Sequence, residues 1–335
     1  MSSDIPATPA GEGTASPLVI AIPSKGRLQD NTAKFFSRAG LNVAQGRGAR
    51  DYRGSLRELP GVEIAFLSAS EIVRELACGN VHLGVTGEDL VREALSDADD
   101  KVELLTPLGF GHANVVVAVP QAWIDVRTIA DLEDVAAAFR SRNNGQRMRV
   151  ATKYINSTRR FFSSHGVGDY RIVESLGATE GAPGAGQAEL IVDITSTGAT
   201  LAANALKILD DGVILRSEAN LVASLQAKWD ENAKKLARTI LTRISAEEDA
   251  RTSREVRAMV PGTPRRTARE AVTEFGVRSL YGIEGDIVRL VCPVDKVTHL
   301  AEWLIQRGAE HVSVGALDYI FSAVNPLYDK LAARL

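Results

Sequence analysis

From Leu18 onward, apolar and polar positions fall into blocks with the lengths of strands and helices. Leu18–Ile22 (LVIAI) reads as a buried strand, Pro23–Arg27 (PSKGR) as a turn, and about Leu28–Ala39 as a helix. Gly40 stands where a helix commonly ends on glycine. Val62–Leu67 reads as a strand, Ser70–Cys78 as a helix closed by Gly79, and His82–Val85 (HLGV) as a short strand. A turn at Thr86–Glu88 then opens a helix over about Asp89–Leu95. Alternation of this kind predicts an α/β fold, mostly parallel strands with helices on both faces.

Asn114–Val119 (NVVVAV) is a continuous apolar run closed by Pro120, and a second α/β unit follows it. That unit holds Arg149–Ala151, the helix Ser157–His165, Arg171–Glu174 and the strand Leu190–Ile194, with Asn143–Arg147 as a surface loop. Val213–Leu215 and Asn220–Ala223 read as a strand pair, and about Lys228–Ile244 as a long helix. Glu247–Arg257 (EEDARTSREVR) is charged, lacks a clear apolar face and reads as a solvated helix. The pattern then restarts with a helix at Thr267–Phe275, a strand at Ile287–Val291, a helix at Val297–Arg307 and a strand at Val312–Ala316. About 80 residues suffice for a separate α+β domain there.

Composition narrows the class. The 335 residues are 45% hydrophobic and 24% charged, ordinary for a soluble protein of two or three domains. The net charge of -3 provides no global field for nucleic acid and no polybasic anchor for a membrane, so any anion must be held by local geometry. The two cysteines, Cys78 and Cys292, and five scattered histidines show no metal-ligand spacing, and this usage fits a reducing cytoplasm. Met1–Ser16 has no Lys, Arg or apolar core, so it reads as a disordered tail rather than a targeting peptide. No apolar run approaches the roughly 20 residues that span a bilayer.

The most informative segment is Asp193–Leu201 (DITSTGATL). A buried strand runs into an acidic residue, then a hydroxyl-rich run, a glycine and a helix start. Strand ends of α/β sheets are where ligands bind. Gly198 can take backbone angles that other residues resist, and helix-start amides favour a phosphate. Thr195, Ser196, Thr197 and Thr200 supply hydroxyls beside Gly198 and Ala199, and Asp193 can accept from two ribose hydroxyls. The plain alternative is a strand-to-helix connection capped by threonine. The full ordered combination is more restrictive than a cap requires, and it favours a ribose 5-phosphate cradle.

The segment resembles the phosphoribosyl pyrophosphate motif of phosphoribosyltransferases, with one departure. Val192 stands where the usual acidic pair has its first member, which disfavours the nucleobase and orotate enzymes. Together with IAIPSKGR (Ile20–Arg27), LGVTGEDL (Leu83–Leu90), LGFGH (Leu108–His112) and EGAP (Glu180–Pro183), it resembles the ATP phosphoribosyltransferase family over about Leu18–Ala223.

That resemblance implies a two-lobed core like a periplasmic binding protein, with the site in the cleft. Lobe I would take residues 17–112 plus about 205–245, and lobe II residues 113–204. The chain would cross near Gly109–Val115 and near Ala205–Leu215. It implies transfer of a phosphoribosyl group to N1 of ATP, with Mg²⁺ required and no protein metal ligand assigned. Asp193 and Lys25 become catalytic candidates, and Thr195–Thr200 the phosphate cradle. Arg27, Glu88, Asp89 and Glu180 become candidate nucleotide or pyrophosphate contacts. Many members carry two arginines where Ser68 and Ser70 stand, so Arg47, Arg50, Arg53 or Arg74 would have to substitute. Residues 254–335 fall where longer members carry a ferredoxin-like domain that binds L-histidine and supports homo-oligomers, either dimers or hexamers. A solute-binding module, a catalytically impaired paralogue or another phosphoribosyltransferase are the competing readings.

Overall fold

The computed structural model of the chain describes residues 16–45, 52–175, 177–283 and 285–335. Residues 1–15, Arg47 and Arg50 lie outside them. The chain divides into two compact units, one comprising residues up to Phe35, Val43–Lys234 and Arg334–Leu335, the other Phe36–Asn42 and Lys235–Ala333.

The first unit begins with β1 (Leu18–Pro23), most of α1 (Gly26–Arg38), β2 (Val43–Gln45), β3 (Arg53–Leu56), β4 (Val62–Leu67) and α2 (Ala69–Ala77). It continues through β5 (Leu83–Gly87), α3 (Glu88–Ala94), α4 (Ala98–Lys101) and β6 (Val102–Pro107). The chain then builds β7 (Asn114–Pro120), α5 (Ile129–Arg142), β8 (Met148–Thr152), α6 (Ile155–Ser164), β9 (Tyr170–Glu174), β10 (Leu190–Thr195), α7 (Ala199–Ala203) and β11 (Leu206–Leu215). It finally returns as β12 (Ala219–Ser224).

Two sheets result. Lobe I is seven-stranded in the order β2-β3-β4-β1-β5-β12-β6, and lobe II five-stranded in the order β11-β7-β10-β8-β9. β1 lies parallel between β4 and β5, and β8 parallel between β9 and β10. The run NVVVAV is continuous because β7 is buried on both faces. Val115, Val117 and Val119 pack with Phe162 and Leu190, while Val116 and Ala118 pack with Ile191 and Leu201.

The two crossovers between lobes bond to each other. Leu108 N donates to Ala219 O, Ala219 N to Phe110 O, and Ala113 N to Ser217 O, at 2.9 Å each. Gly111 has φ +69, and a Cβ there would press on Leu28 and Ala219 at 3.1 and 3.2 Å, so this glycine is required by both angle and space. The first crossover lies where the sequence places it. The second does not: Leu206–Leu215 pairs with β7 inside lobe II, and the chain crosses only at residues 216–218. Val213–Leu215 and Asn220–Ala223 are therefore not partners but belong to different sheets, since the β11 edge is satisfied by β7.

His82 is buried in lobe I, with Nδ1 accepting from Val19 N at 3.1 Å and Nε2 facing Lys228 O at 3.1 Å. Burial pushes its imidazole below the ordinary range, which suits a neutral ring in the fold rather than a ligand.

α8 (Glu231–Thr252) follows β12, and most of it belongs to the second unit. That unit also contains β13 (Ser253–Met259), α9 (Pro264–Phe275), β14 (Ile287–Pro293), α10 (Val297–Gln306), β15 (Val312–Gly315) and α11 (Pro326–Ala332). The sheet is antiparallel, β14-β13-β15, and Arg278 bridges Val291 on the outer side of β14. Counting that bridge as a minimal strand gives the ferredoxin-like βαββαβ order. One sequence reading is corrected here. Glu247–Arg257 is not a solvated helix: α8 ends at Thr252, and β13 is the central strand, with Val256 and Ala258 fully or nearly buried. Glu247 itself is buried, paired with Arg38 at 2.9 Å and Arg251 at 3.7 Å. Among the described residues, no helix is long and apolar enough to cross a membrane.

Candidate active site

β10 carries the ligand-directed segment. Leu190–Val192 run parallel and in register with Val150–Thr152 of β8, so Asp193 and Lys153 leave neighbouring strands at the same end. The loop after Thr195 is held by its own hydroxyls: Thr195 Oγ1 accepts from Gly198 N at 2.7 Å, and Thr197 Oγ1 from Ala199 N at 3.4 Å. Gly198 has φ +76, which glycine adopts without strain. A Cβ there would meet only Ile208 at 3.8 Å, so the backbone angle, not lack of room, demands glycine. Leu201, 3% exposed, anchors α7 in the core below.

A cavity of about 330 Å³ opens above this loop. Asp193, Thr195, Ser196, Thr197 and Thr200 line it, with Glu180 from the opposite loop and His112 and Ala113 from the first crossover. Gly198 and Ala199 shape the loop without lining the cavity. Lys25 and Arg27, exposed at the β1–α1 junction, lie outside the lining, as do Glu88 and Asp89. Glu88 pairs with Arg92 at 3.4 Å. Asp89 is a correction to the sequence reading. It is 4% exposed, and both of its carboxylate oxygens accept from protein hydroxyls, so no oxygen faces a ligand cavity.

Burial raises the Asp193 carboxyl above its usual range, and the Glu180 carboxylate adds to the rise. The Ile194 amide, which donates to Oδ1 at 2.8 Å, the Lys153 charge and the Thr179 hydroxyl act in the opposite direction. Lys153 and Thr179 are the residues that sequence reasoning missed. The only signal was Thr-Lys-Tyr directly after a buried strand.

Ser68 is accounted for locally. It N-caps α2, accepting from Glu71 N while Glu71 accepts from Ser68 N, a reciprocal capping box. Of the arginines considered as replacements, Arg53 is paired with Glu63 and Arg74 with Glu75 at 3.4 Å.

Comparison with known proteins completes the picture. A family model described as HisG: ATP phosphoribosyltransferase matches residues 68–246. The chain belongs to the ATP phosphoribosyltransferase family. An ATP phosphoribosyltransferase of Nitrobacter winogradskyi is 61% identical over 320 residues, covering 95% of this chain and 98% of the relative. One from Afipia carboxidovorans is 59% identical over 322 residues, covering 96% and 99%. These matches extend through the C-terminal unit, so that unit is shared by this branch of the ATP phosphoribosyltransferases. Among solved structures, an ATP phosphoribosyl transferase (HisG:HisZ) complex from Thermotoga maritima aligns with TM-score 0.52 at 23% identity. It covers 68% of this chain and 95% of that one, and it supports the fold of the ATP phosphoribosyltransferase core.

Proposed function

We propose that the chain transfers the 5-phosphoribosyl group of phosphoribosyl pyrophosphate to N1 of ATP, releasing pyrophosphate, as the first step of histidine biosynthesis in the cytoplasm. The observation that carries the site is the cavity in which half-buried Asp193 faces a hydroxyl-rich loop turned at Gly198. The 5-phosphate rests on residues Thr197–Thr200, and the two ribose hydroxyls donate to Asp193. The bond from C1 to pyrophosphate breaks with its electron pair leaving on oxygen, and the N1 lone pair forms the new bond to C1. N1 carries no proton, so the step needs no strong base, and positioning and electrostatics supply the catalysis. Lys25 and Lys153 are the cations assigned to the departing pyrophosphate.

Mg²⁺ fits the donor set. Asp193 and Glu180 are hard oxygen donors close enough to influence each other, and the described residues contain no cluster of three or more metal-ligating side chains. Such a site suits an ion shared with substrate phosphates, held by one or two carboxylates. When bound, the ion neutralises charge on the leaving pyrophosphate.

The reaction is tested by incubating the protein with phosphoribosyl pyrophosphate, Mg²⁺ and either ATP or a free nucleobase. Pyrophosphate is expected with ATP only; release with a nucleobase and none with ATP overturns the assignment.

The C-terminal unit is proposed to bind L-histidine as a feedback inhibitor and to support a homo-oligomer. A groove of about 710 Å³ along α9, with Arg265, Arg269 and Tyr281 in its lining, offers guanidinium groups for an amino-acid carboxylate. Calorimetry should record heat on adding histidine, together with loss of activity. No heat and unchanged activity would refute the regulatory role.

A further inference from the structure

The TGEDL segment (Thr86–Leu90) is one of those that carry the family resemblance, yet it lines no part of the cavity, and both of its acidic residues are taken up by the protein itself, Glu88 by Arg92 and Asp89 by two hydroxyls. Asp89 Oδ2 accepts from Tyr154 OH at 2.8 Å, and Oδ1 accepts from Ser217 Oγ at 2.8 Å. Ser217 Oγ in turn accepts from Asp89 N at 2.9 Å. Tyr154 is 1% exposed and Ser217 3%. The three residues come from three different pieces: α3 of lobe I, the N-cap of α6 in lobe II, and the second crossover. One carboxylate therefore ties both lobes to the segment about which they would turn.

A second fastening lies one turn along α3. Glu93 Oε1 and Oε2 accept from Asn156 N and Ser157 N at 2.8 and 2.9 Å, and Glu93 O accepts from Asn156 Nδ2 at 3.0 Å. The N-cap of α6, Tyr154, makes no side-chain cap, so a carboxylate from the other lobe satisfies these first-turn amides. The glycine of the motif serves the same contact, because a Cβ on Gly87 would overlap Oδ1 of Asp89.

A buried carboxylate is a poor choice for stability alone, since an apolar pair of similar volume would hold the lobes as well or better. What it adds is direction: each oxygen has one partner in one place. Tyr154 also follows Thr152 and Lys153 at the end of β8, the strand in register with β10 and Asp193.

We propose that Asp89 is a positioning residue that fixes the angle between the two lobes, with Glu93 as its second fastening, and so sets how the acceptor meets the phosphoribosyl group. The proposal rests on the phosphoribosyltransferase reading above. The phosphoribosyl contacts assigned to the 193–200 loop lie within lobe II, and only Lys25 is assigned to the donor's pyrophosphate from lobe I, so a loosened angle leaves most of the donor binding in place and falls mainly on the acceptor.

Tyr154→Phe removes a single hydroxyl and frees Oδ2 of Asp89; Gly87→Ala displaces the same carboxylate from the other side. Phosphoribosyl pyrophosphate binding is measured by calorimetry, ATP KM and kcat by pyrophosphate release, and folding by thermal melting. In both variants the donor Kd should stay within about 2-fold at unchanged stoichiometry, while ATP KM rises and kcat falls by about 10- to 100-fold. The double variant should be no worse than the poorer single one, because both act through Asp89. Wild-type ATP KM and kcat in both variants, or a kcat loss matched by lost stoichiometry with ATP KM unchanged, overturns the positioning role. Failure of the unsubstituted enzyme to bind the donor overturns instead the reading on which the proposal rests.

Discussion

Asp193→Ala is expected to reduce kcat/KM for phosphoribosyl transfer by at least about 100- to 1000-fold, the scale seen when a preorganised charge-stabilising group is removed. The carboxylate is the only acidic group in the DITSTGATL segment, so no neighbour in the loop can take its place at the ribose hydroxyls. Folding should not suffer. Burial and the Glu180 carboxylate both hold Asp193 above its usual range, which means the fold disfavours its charge. Asp193→Asn should therefore melt at the same temperature or higher while remaining inactive, a trade typical of functional sites. Glu180→Gln should lower the Asp193 pKa and move the acid limb of kcat/KM toward lower pH. Normal turnover in Asp193→Ala, measured by pyrophosphate release, would remove the assignment.

The largest stability effect is expected at Phe162. It is fully buried in the lobe II core, packed against Val115, Val117, Val150 and Leu190, and meets Tyr170 edge-on at 4.9 Å between centroids. Truncation to alanine should cost about 3–5 kcal/mol, from lost apolar transfer plus a cavity that the packed strands cannot close. Urea unfolding followed by far-UV circular dichroism measures it. A cost below about 1 kcal/mol would mean that the core relaxes around the gap, contrary to the packing described.

Much of the catalytic core was legible along the chain, because its central strands are buried on both faces and show as uninterrupted apolar runs. β1 and β7 carry such runs, while β4 and β10 are apolar but for Glu63 in β4 and for Asp193 and Thr195 at the end of β10. The elements that escaped reading have weaker local patterns. β2 and β3 are short strands at one end of the lobe I sheet with half-exposed residues, and α5 buries only Ile129, Leu132 and Ala136 of its 14 residues. β13 was hidden for a related reason: Glu255 and Arg257 occupy one face, and together with Arg254 they mask the alternating Val256 and Ala258. The second crossover was misplaced because a strand's partner is a matter of tertiary pairing, and β11 chose β7 over β12.

The same division holds at the site. The phosphate loop is contiguous, and its hydroxyls, glycine and aspartate could be read together. Lys153 and Thr179 reach Asp193 only through the packing of lobe II, Lys153 by way of the β8–β10 register. Asp89 illustrates the converse limit. A motif can mark an acidic residue as important, yet a ligand contact and a contact with a buried tyrosine look identical until the partner is seen.

The central claim is that the Asp193–Leu201 loop holds the phosphoribosyl donor. Crystals of the enzyme grown with phosphoribosyl pyrophosphate and Mg²⁺ test it most directly. The account predicts the 5-phosphate within hydrogen-bond distance of the Thr197–Thr200 segment and the ribose hydroxyls on Asp193. Donor bound elsewhere, with the loop and Asp193 free of it, would contradict it.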